Sequence, residues 1–189
     1  MKKGKTKKAM LKANPWGDFP QVHESAFVDE TAVIIGKVTI GAHVFVGPGA
    51  VIRADEPGSS IAIQAYCNVQ DRVVIHALEK SAVEIGESTS LSHGCLVHGP
   101  CNIGKNCFIG FGAVVFGDEI DDGVIIKHLA VVEGVRISLQ RVVESRQVIR
   151  SEDQVMILRH VDVKLQEFAR KVIESNLTLL RGYRKKTNL

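Results

Sequence analysis

A branched aliphatic residue recurs every six positions through most of the chain. The series is Ile34, Ile40, Val46 and Ile52, then Ile63, Val69 and Ile75, then Ile85, Leu91, Val97, Ile103, Ile109 and Val115. A period of six fits neither a helix face, which repeats about every 3.6 residues, nor a long strand, which repeats every two. It suits short strands separated by tight corners, and it therefore predicts a three-sided parallel β-helix.

A second inward row stands two residues before the aliphatics and carries modest side chains. Its members are Ala32, Val38, Val44, Ala50, Cys67, Val73, Cys95, Cys101, Cys107 and Ala113. All four cysteines fall in this row, and none of their spacings is the C-x-x-C of a structural zinc site. We therefore interpret the thiols as core residues of a protein in a reducing compartment, not as ligands or redox groups.

The repeat predicts a β-helix domain over residues 20–150, with room for about seven coils. Its ladder shifts by one residue near positions 118–122 and fades through Ile137, Val143 and Ile149. A helix pattern then begins at Ser151-Glu152-Asp153, with apolar residues three or four apart. We expect residues 151–189 to form one long C-terminal α-helix packed on the β-helix.

The first 19 residues form a basic segment that we expect to be partly disordered. It contains six lysines, namely Lys2, Lys3, Lys5, Lys7, Lys8 and Lys12, so the remaining body is slightly acidic. No interleaved aromatics accompany these lysines, which argues against nucleic-acid binding. The segment also lacks the apolar stretch of a signal peptide, and no run of about 18 apolar residues follows. The sequence predicts a cytoplasmic protein that contacts no membrane.

Two insertions interrupt the hexads, at residues 53–60 and 77–84, and such insertions often build the binding face of a solenoid. His76 and His98 each follow an inward aliphatic and are one full coil apart. They should stack about 4.8 Å apart and can converge on one metal ion. His93 precedes His98 by five extended residues, or about 16 Å, which is too far to share that ion.

If His93 is a ligand, it must complete a site on a neighbouring subunit. A rotation that repeats this contact around a three-sided prism closes as a homotrimer with three interfacial sites. Three neutral imidazoles with an open fourth position are typical of catalytic zinc, which lowers the pKa of bound water to about 7. The alternative is that these are ordinary corner histidines.

Four motifs, taken in order, resemble the gamma-class carbonic anhydrases over residues 20–135. They are Arg53-Ala54-Asp55-Glu56, Asn68-Val69-Gln70-Asp71, Ile75-His76-Ala77-Leu78-Glu79, and Ser92-His93 with Val97-His98-Gly99-Pro100. The resemblance implies a mainly β protein built as a left-handed β-helix, in a homotrimer that interconverts CO2 and bicarbonate. It also implies Zn²⁺ as cofactor, although Fe²⁺ or Co²⁺ suits the same ligands.

The resemblance also assigns roles by position. His76 and His98 match the metal ligands of one subunit, and His93 matches the ligand from its neighbour. Gln70 matches the residue that hydrogen-bonds the metal-bound water, and Asn176 matches an asparagine that positions the substrate.

Five charged groups complete the implied site. Glu56 resembles the glutamate that takes the proton from metal-bound water, and Glu79 the one that passes it to buffer. Arg53 and Asp71 would pair across the interface, with Asp55 nearby. The other histidines match no family ligand and are interpreted as surface or packing residues: His23, His43, His128 and His160.

Two other functions remain open. A catalytically weak or inactive trimeric scaffold or assembly subunit is consistent with the short loop after His76, which includes Lys80 where the best-known subclass has a long acidic loop. Acyl transfer also uses hexapeptide coils with a histidine base, but one base would not explain three histidines in this arrangement.

Overall fold

Three parallel sheets form the faces of a triangular prism. The computed structural model describes residues 9–117 and 119–187, so Lys2, Lys3, Lys5, Lys7 and Lys8 lie outside the described residues. The chain runs from sheet A to sheet B to sheet C and back to sheet A in each coil. We name the corners between them A–B, B–C and C–A.

Sheet A has eight strands and the other two sheets have seven each. Sheet A consists of β1 (Met10–Lys12), β4 (Val33–Gly36), β7 (Val51–Ala54), β10 (Val74–His76), β13 (Leu96–His98), β16 (Val114–Phe116), β19 (Val131–Glu133) and β22 (Val148–Ile149). Sheet B consists of β2 (Gln21–Val22), β5 (Val38–Ile40), β8 (Ser60–Ile63), β11 (Ala82–Ile85), β14 (Cys101–Ile103), β17 (Glu119–Ile120) and β20 (Arg136–Ile137). Sheet C consists of β3 (Phe27–Val28), β6 (Phe45–Val46), β9 (Asn68–Val69), β12 (Ser90–Leu91), β15 (Phe108–Ile109), β18 (Ile125–Ile126) and β21 (Val142–Val143).

The hexad aliphatics fill the interior, as their period predicts. Ile52, Ile75 and Val97 occupy one register of sheet A on three successive coils, and each is fully buried. The four cysteines are also buried free thiols. Burial raises the pKa of Cys67, Cys95 and Cys107 to about 12, so these thiols stay protonated and unreactive at neutral pH.

The one-residue shift of the ladder near positions 118–122 persists in all later coils. Ile85 pairs with Ile103 eighteen positions later, whereas Ile103 pairs with Ile120 and Ile120 with Ile137 at seventeen. Corner A–B is therefore one residue shorter in every later coil. The predicted fading of the ladder is wrong, because Ile137, Val143 and Ile149 are all buried in regular strands.

The C-terminal segment forms two helices, α1 (Glu152–Met156) and α2 (Val163–Thr187), where the sequence predicted one. The connection between them is held as an extended strand, because His160 makes an antiparallel bridge with Arg141. Arg141 also donates a hydrogen bond to the Leu158 carbonyl oxygen at 2.7 Å. Val155 and Leu158 are buried and belong to the core cluster, so this segment covers the end of the prism.

Helix α2 lies along the outer surface of sheet C, where it contacts β3, β6 and β12. Asn176 and Leu180 are its buried residues. At its first part, Phe168 packs edge-on against Phe108, with ring centroids 5.2 Å apart. The helix therefore returns along the prism toward the first coils. No described helix is long and apolar enough to cross a membrane.

Successive coils approach so closely at Gly36 that there is no room for a side chain. Its φ is +83°, and a Cβ there would lie 1.8 Å from the Ala54 carbonyl oxygen. Gly134 occupies corner A–B with a φ of +68°, but a Cβ there would meet nothing within 4 Å. Gly134→Ala should therefore cost only the left-handed backbone penalty, about 1 kcal/mol.

We expect Gly36→Ala to destabilise the protein by roughly 3 kcal/mol, because steric overlap adds to the same penalty. Urea midpoints of both variants at one protein concentration measure the difference. Equal losses for the two substitutions would contradict the close approach at Gly36.

Candidate metal centre

His76 and His98 stack on successive coils at corner A–B, in the arrangement that the hexad register predicts. They are directly paired in sheet A, at the ends of β10 and β13. Their ring centroids are 4.9 Å apart, and His76 Nδ1 lies 3.0 Å from His98 Nε2. Two imidazoles at this distance can contribute ligands to one metal ion.

The second ring nitrogen of His76 lacks a partner. His76 Nε2 is buried and makes no hydrogen bond within the described part of the chain. The nearest acidic oxygens, from Glu56 and Asp55, lie at 3.5 and 3.6 Å. Burial lowers the pKa of His76, as do His98 and Arg53, although Glu56 and Asp55 oppose the shift. The neutral imidazole that results is the metal-binding form, so the pair fits a metal ion.

Both insertions open from this same corner and surround the histidine pair with charge. Arg53 aligns with His76 on the preceding coil and forms an ion pair with Asp55 at 3.0 Å. Glu56 Oε2 accepts a hydrogen bond of 2.6 Å from the backbone N–H of Glu79. The Glu79 carboxylate is about half exposed and pairs with Lys80 at 3.1 Å. The two loops are thus joined by this hydrogen bond, and the Glu56 side chain is less exposed than that of Glu79, at 36% against 54%.

His93 lies at corner C–A, at the opposite edge of sheet A from His98. Its Nδ1 is 3.2 Å from Asp71 Oδ2, and its side chain is 52% exposed. Phe111 flanks the imidazole with ring centroids 5.5 Å apart, and His128 stacks on Phe111 at 4.3 Å. The exposed imidazole is therefore oriented by neighbours on its own corner, across sheet A from the His76–His98 pair.

Gln70 and Asn176 meet at the same corner. Gln70 Nε2 donates hydrogen bonds to Asn176 Oδ1 at 2.6 Å and to Asn68 Oδ1 at 2.5 Å. Asn68 in turn donates to Ser90 Oγ at 2.8 Å, and both of these residues are buried. The Asn176 amide donates to the Val172 carbonyl oxygen of its own helix. Asn68 and Asn176 together therefore hold the Gln70 amide in one orientation.

The sequence analysis missed Asn68 and Ser90 as supporting residues. Both stand immediately before an inward aliphatic, on the outer face of sheet C, where Phe45, Phe108 and Ile125 occupy the same register. The sequence signal for these two residues was a polar side chain at a position where the other coils of sheet C carry an apolar one. Their burial depends on α2 covering this part of sheet C, which the hexad pattern does not reveal.

The predicted site residues therefore form two half-sites on one chain. The first, at corner A–B, contains Arg53, Asp55, Glu56, His76, Glu79 and His98; the second, at corner C–A, contains Gln70, Asp71, His93 and Asn176. Arg53 and Asp71 lie at different corners, so their pairing within one chain does not occur. No three potential metal-ligating side chains of the described residues come together on the single chain.

An apolar hollow of about 310 Å³ borders the first half-site on the outer face of sheet A. It is lined by Leu96, His98, Val114, Phe116, Val131 and Glu133. The His98 ring also packs edge-on against Phe116, with centroids 5.1 Å apart. The apolar outer face of sheet A therefore extends to the His98 ring.

Two comparisons with solved proteins match this architecture. The hexapeptide transferase family protein from Anaplasma phagocytophilum superposes with a TM-score of 0.79 and 25% identity, covering 92% of this chain and 98% of that one. A Bacillus cereus protein described as an acetyltransferase superposes with a TM-score of 0.67 at 20% identity, over 94% of this chain and 98% of that one. The latter likeness supports the fold alone.

Sequence comparisons are more specific. The family model described as bacterial transferase hexapeptide (six repeats) matches residues 19–54 and 82–117. The carboxysome assembly protein CcmM of Nostoc is 40% identical over 173 residues, which cover 86% of this chain but only 31% of that protein. The carbonic anhydrase of Methanosarcina thermophila is 34% identical over 192 residues, covering 90% of this chain and 77% of that enzyme. With its hexapeptide coils and matching motifs, the chain belongs to the gamma-class carbonic anhydrase family.

Proposed function

We propose that the protein is a cytoplasmic carbonic anhydrase that interconverts CO2 and bicarbonate in a homotrimer, at three sites shared between subunits. One observation carries the proposal: the His76–His98 pair and His93 lie at the two edges of the same sheet. The similarity to the Methanosarcina thermophila enzyme supports the same reaction. Buried free thiols are compatible with a reducing cytoplasm.

A threefold arrangement joins the two half-sites simply. If sheet A of each subunit faces the threefold axis, corner A–B of one subunit meets corner C–A of the next, and the contact repeats until the ring closes. The outer face of sheet A carries a half-buried aliphatic row, consisting of Val33, Val51, Val74, Leu96, Val114 and Val131. A neighbouring subunit would remove this apolar surface from water.

His76 and His98 would hold a divalent metal ion together with His93 of the next subunit. The buried, unpaired Nε2 of His76 supports this assignment, because an orphaned imidazole nitrogen is costly without a partner. A bound metal of this kind supplies a hydroxide nucleophile from water at neutral pH and acts as a Lewis acid. Zn²⁺ suits three imidazoles, and Fe²⁺ or Co²⁺ suits them as well.

The remaining residues orient reactants and move the proton. Gln70, whose amide is held by Asn68 and Asn176, is placed to orient water and substrate once the half-sites meet. Glu56, next to His76, takes the proton released by each hydration. Glu79, joined to Glu56 through its backbone N–H and exposed at the surface, passes the proton to buffer.

Subunit complementation tests the shared site. The His93→Ala and His98→Ala proteins should each be inactive, because every interface lacks one ligand. After they are mixed in equal amounts, unfolded and reassembled at random, about one quarter of the sites should contain all three histidines. Stopped-flow CO2 hydration and cobalt per chain should both recover to about one quarter of the wild-type value.

The two variants mixed without reassembly are the matched control and should stay inactive. A reassembled mixture with no recovered activity would contradict a site made from two subunits. So would substantial activity of either variant alone.

Glutamate substitutions test the proton path. Glu56→Gln should lower kcat about 100-fold, because the internal acceptor is lost. Glu79→Gln should have a smaller effect, about tenfold in dilute buffer, and concentrated buffer should restore the rate. Glu84→Gln, at an exposed position of β11, is the control and should leave kcat unchanged. Insensitivity of kcat to Glu56→Gln would remove that residue from the path.

A second candidate function is a trimeric assembly subunit with little or no catalysis. The 40% identity to a carboxysome assembly protein favours it, as does the short loop that pairs Glu79 with Lys80. This chain spans about a third of that relative, so assembly activity is a proposal for it. Metal-loaded trimers that bind one ion per subunit but hydrate CO2 no faster than buffer would exclude the enzyme and favour this function.

A further inference from the structure

A pocket of about 450 Å³ lies between the last turns of α2 and corner B–C, beside the first coils of the prism. It is lined by His43, Tyr66, Leu177, Leu180, Arg181, Arg184 and Lys185. Its volume falls in the range of about 300–1,000 Å³ that is typical of small-molecule sites. Among the described residues, the lining includes three cations and no acid. The pocket is therefore electropositive with an apolar floor.

The cations project from one side of a well-anchored helix end. Arg184 donates a hydrogen bond from Nη1 to the Ser25 carbonyl oxygen at 2.9 Å, which holds its guanidinium against the first coils. Neither Arg181 nor Lys185 forms an ion pair with an acid within the described residues. Arginine and lysine arranged in this way suit an anionic group with several oxygen acceptors, such as a phosphate chain.

Two packing contacts anchor the same turns of the helix. Leu180 is buried, with 2% of its side chain exposed. Tyr183 stacks on Phe27 with ring centroids 4.7 Å apart, and Phe27 stacks on Phe45 at 5.4 Å. These contacts fix the rotation of α2 about its axis, so the direction in which the cations point is set by packing.

The opposite wall is a stacked aromatic pair. Tyr66 and His43 occupy the same corner position on successive coils, with ring centroids 5.1 Å apart and planes 21° apart. Ser88 occupies that position on the next coil, and its small side chain cannot cover the second face of the Tyr66 ring. A separate hollow of about 420 Å³ lies beyond Ser88, and its lining includes Asp122 and Glu174. One face of Tyr66, which is 39% exposed, is therefore available for stacking.

We propose that this pocket binds a nucleoside 5′-phosphate. The base stacks on Tyr66, and the phosphates are bound by Arg181, Arg184 and Lys185. Stacking on an aromatic ring accepts any base, because every base has a π-face, whereas the cations require the phosphates. The ligand therefore needs a base to contact Tyr66 and phosphates to contact the cations of α2.

This site is separate from the two half-sites. Corner B–C is the corner that sheet A does not touch, so it stays open when corners A–B and C–A meet in the proposed trimer. The inference does not rest on the proposed carbonic anhydrase activity, and its failure would leave that activity unaffected.

Isothermal titration calorimetry of the full-length protein at low ionic strength tests the proposal, with ATP and tripolyphosphate as probes and no added metal ion. We expect ATP to bind at least about tenfold more tightly than tripolyphosphate, because only ATP can stack. Arg181→Ala/Lys185→Ala should weaken ATP binding by about 30-fold, because two charge-assisted contacts are lost. Lys164→Ala/Lys171→Ala removes the same charge from α2 outside the pocket and should have little effect.

Tyr66→Leu isolates the stacking contribution. Leucine is compatible with a left-handed backbone of this kind, since Leu129, at corner C–A, adopts a φ of 59°, close to the 61° of Tyr66. We expect this variant to bind ATP about tenfold more weakly and tripolyphosphate as the wild type does. Absence of ATP binding by the wild type would overturn the proposal. Equal losses in the two double variants, or equal affinities for ATP and tripolyphosphate, would overturn it too.

Discussion

The parallel hydrogen-bond ladder between successive coils is the constraint on which the rest of this structure depends. Each strand pairs with the strands one coil before and after it, so Ile52, Ile75 and Val97 form one continuous buried column. A slip of one residue would turn the aliphatics outward, because side chains alternate between the two faces of a strand. The register is therefore fixed by the core, and equivalent positions on successive coils always lie at the same corner of the prism.

This fixed register divides the chemistry between two corners. His76 and His98 are brought together because they occupy equivalent positions on adjacent coils. His93 is kept apart because it lies in the corner before β13, whereas His98 is the last residue of that strand. A single chain thus presents two stacked imidazoles, one with an unpaired buried nitrogen, at one edge of sheet A and an exposed imidazole at the other. Under the proposed function, catalysis is a property of the assembly, and the stability of the interface and the metal affinity are linked.

Helix α2 adds what the repeating coils cannot supply. It carries Asn176 to Gln70 at corner C–A, and it carries a group of cations to the stacked Tyr66 and His43 at corner B–C. Both placements follow from one packing event, in which Leu180 is buried and Tyr183 stacks on Phe27. A change that rotates the helix about its axis should therefore disturb both regions together.

The hexad period by itself determined the β-helix, the inward cysteines and the stacking of His76 on His98, because these depend on local spacing alone. The shortened A–B corner was also visible in the sequence, as the one-residue shift near positions 118–122. The sequence did not predict that the final coil is regular. Only the tertiary structure decided that the C-terminal segment divides into two helices, since His160 pairs with Arg141 far away in the chain. The tertiary structure alone also connected Asn68 and Ser90 to Gln70 by hydrogen bonds, and placed Tyr66 and Arg181 in one pocket. Such contacts connect residues on different coils and on α2, and their geometry is set by long-range packing that no periodicity encodes.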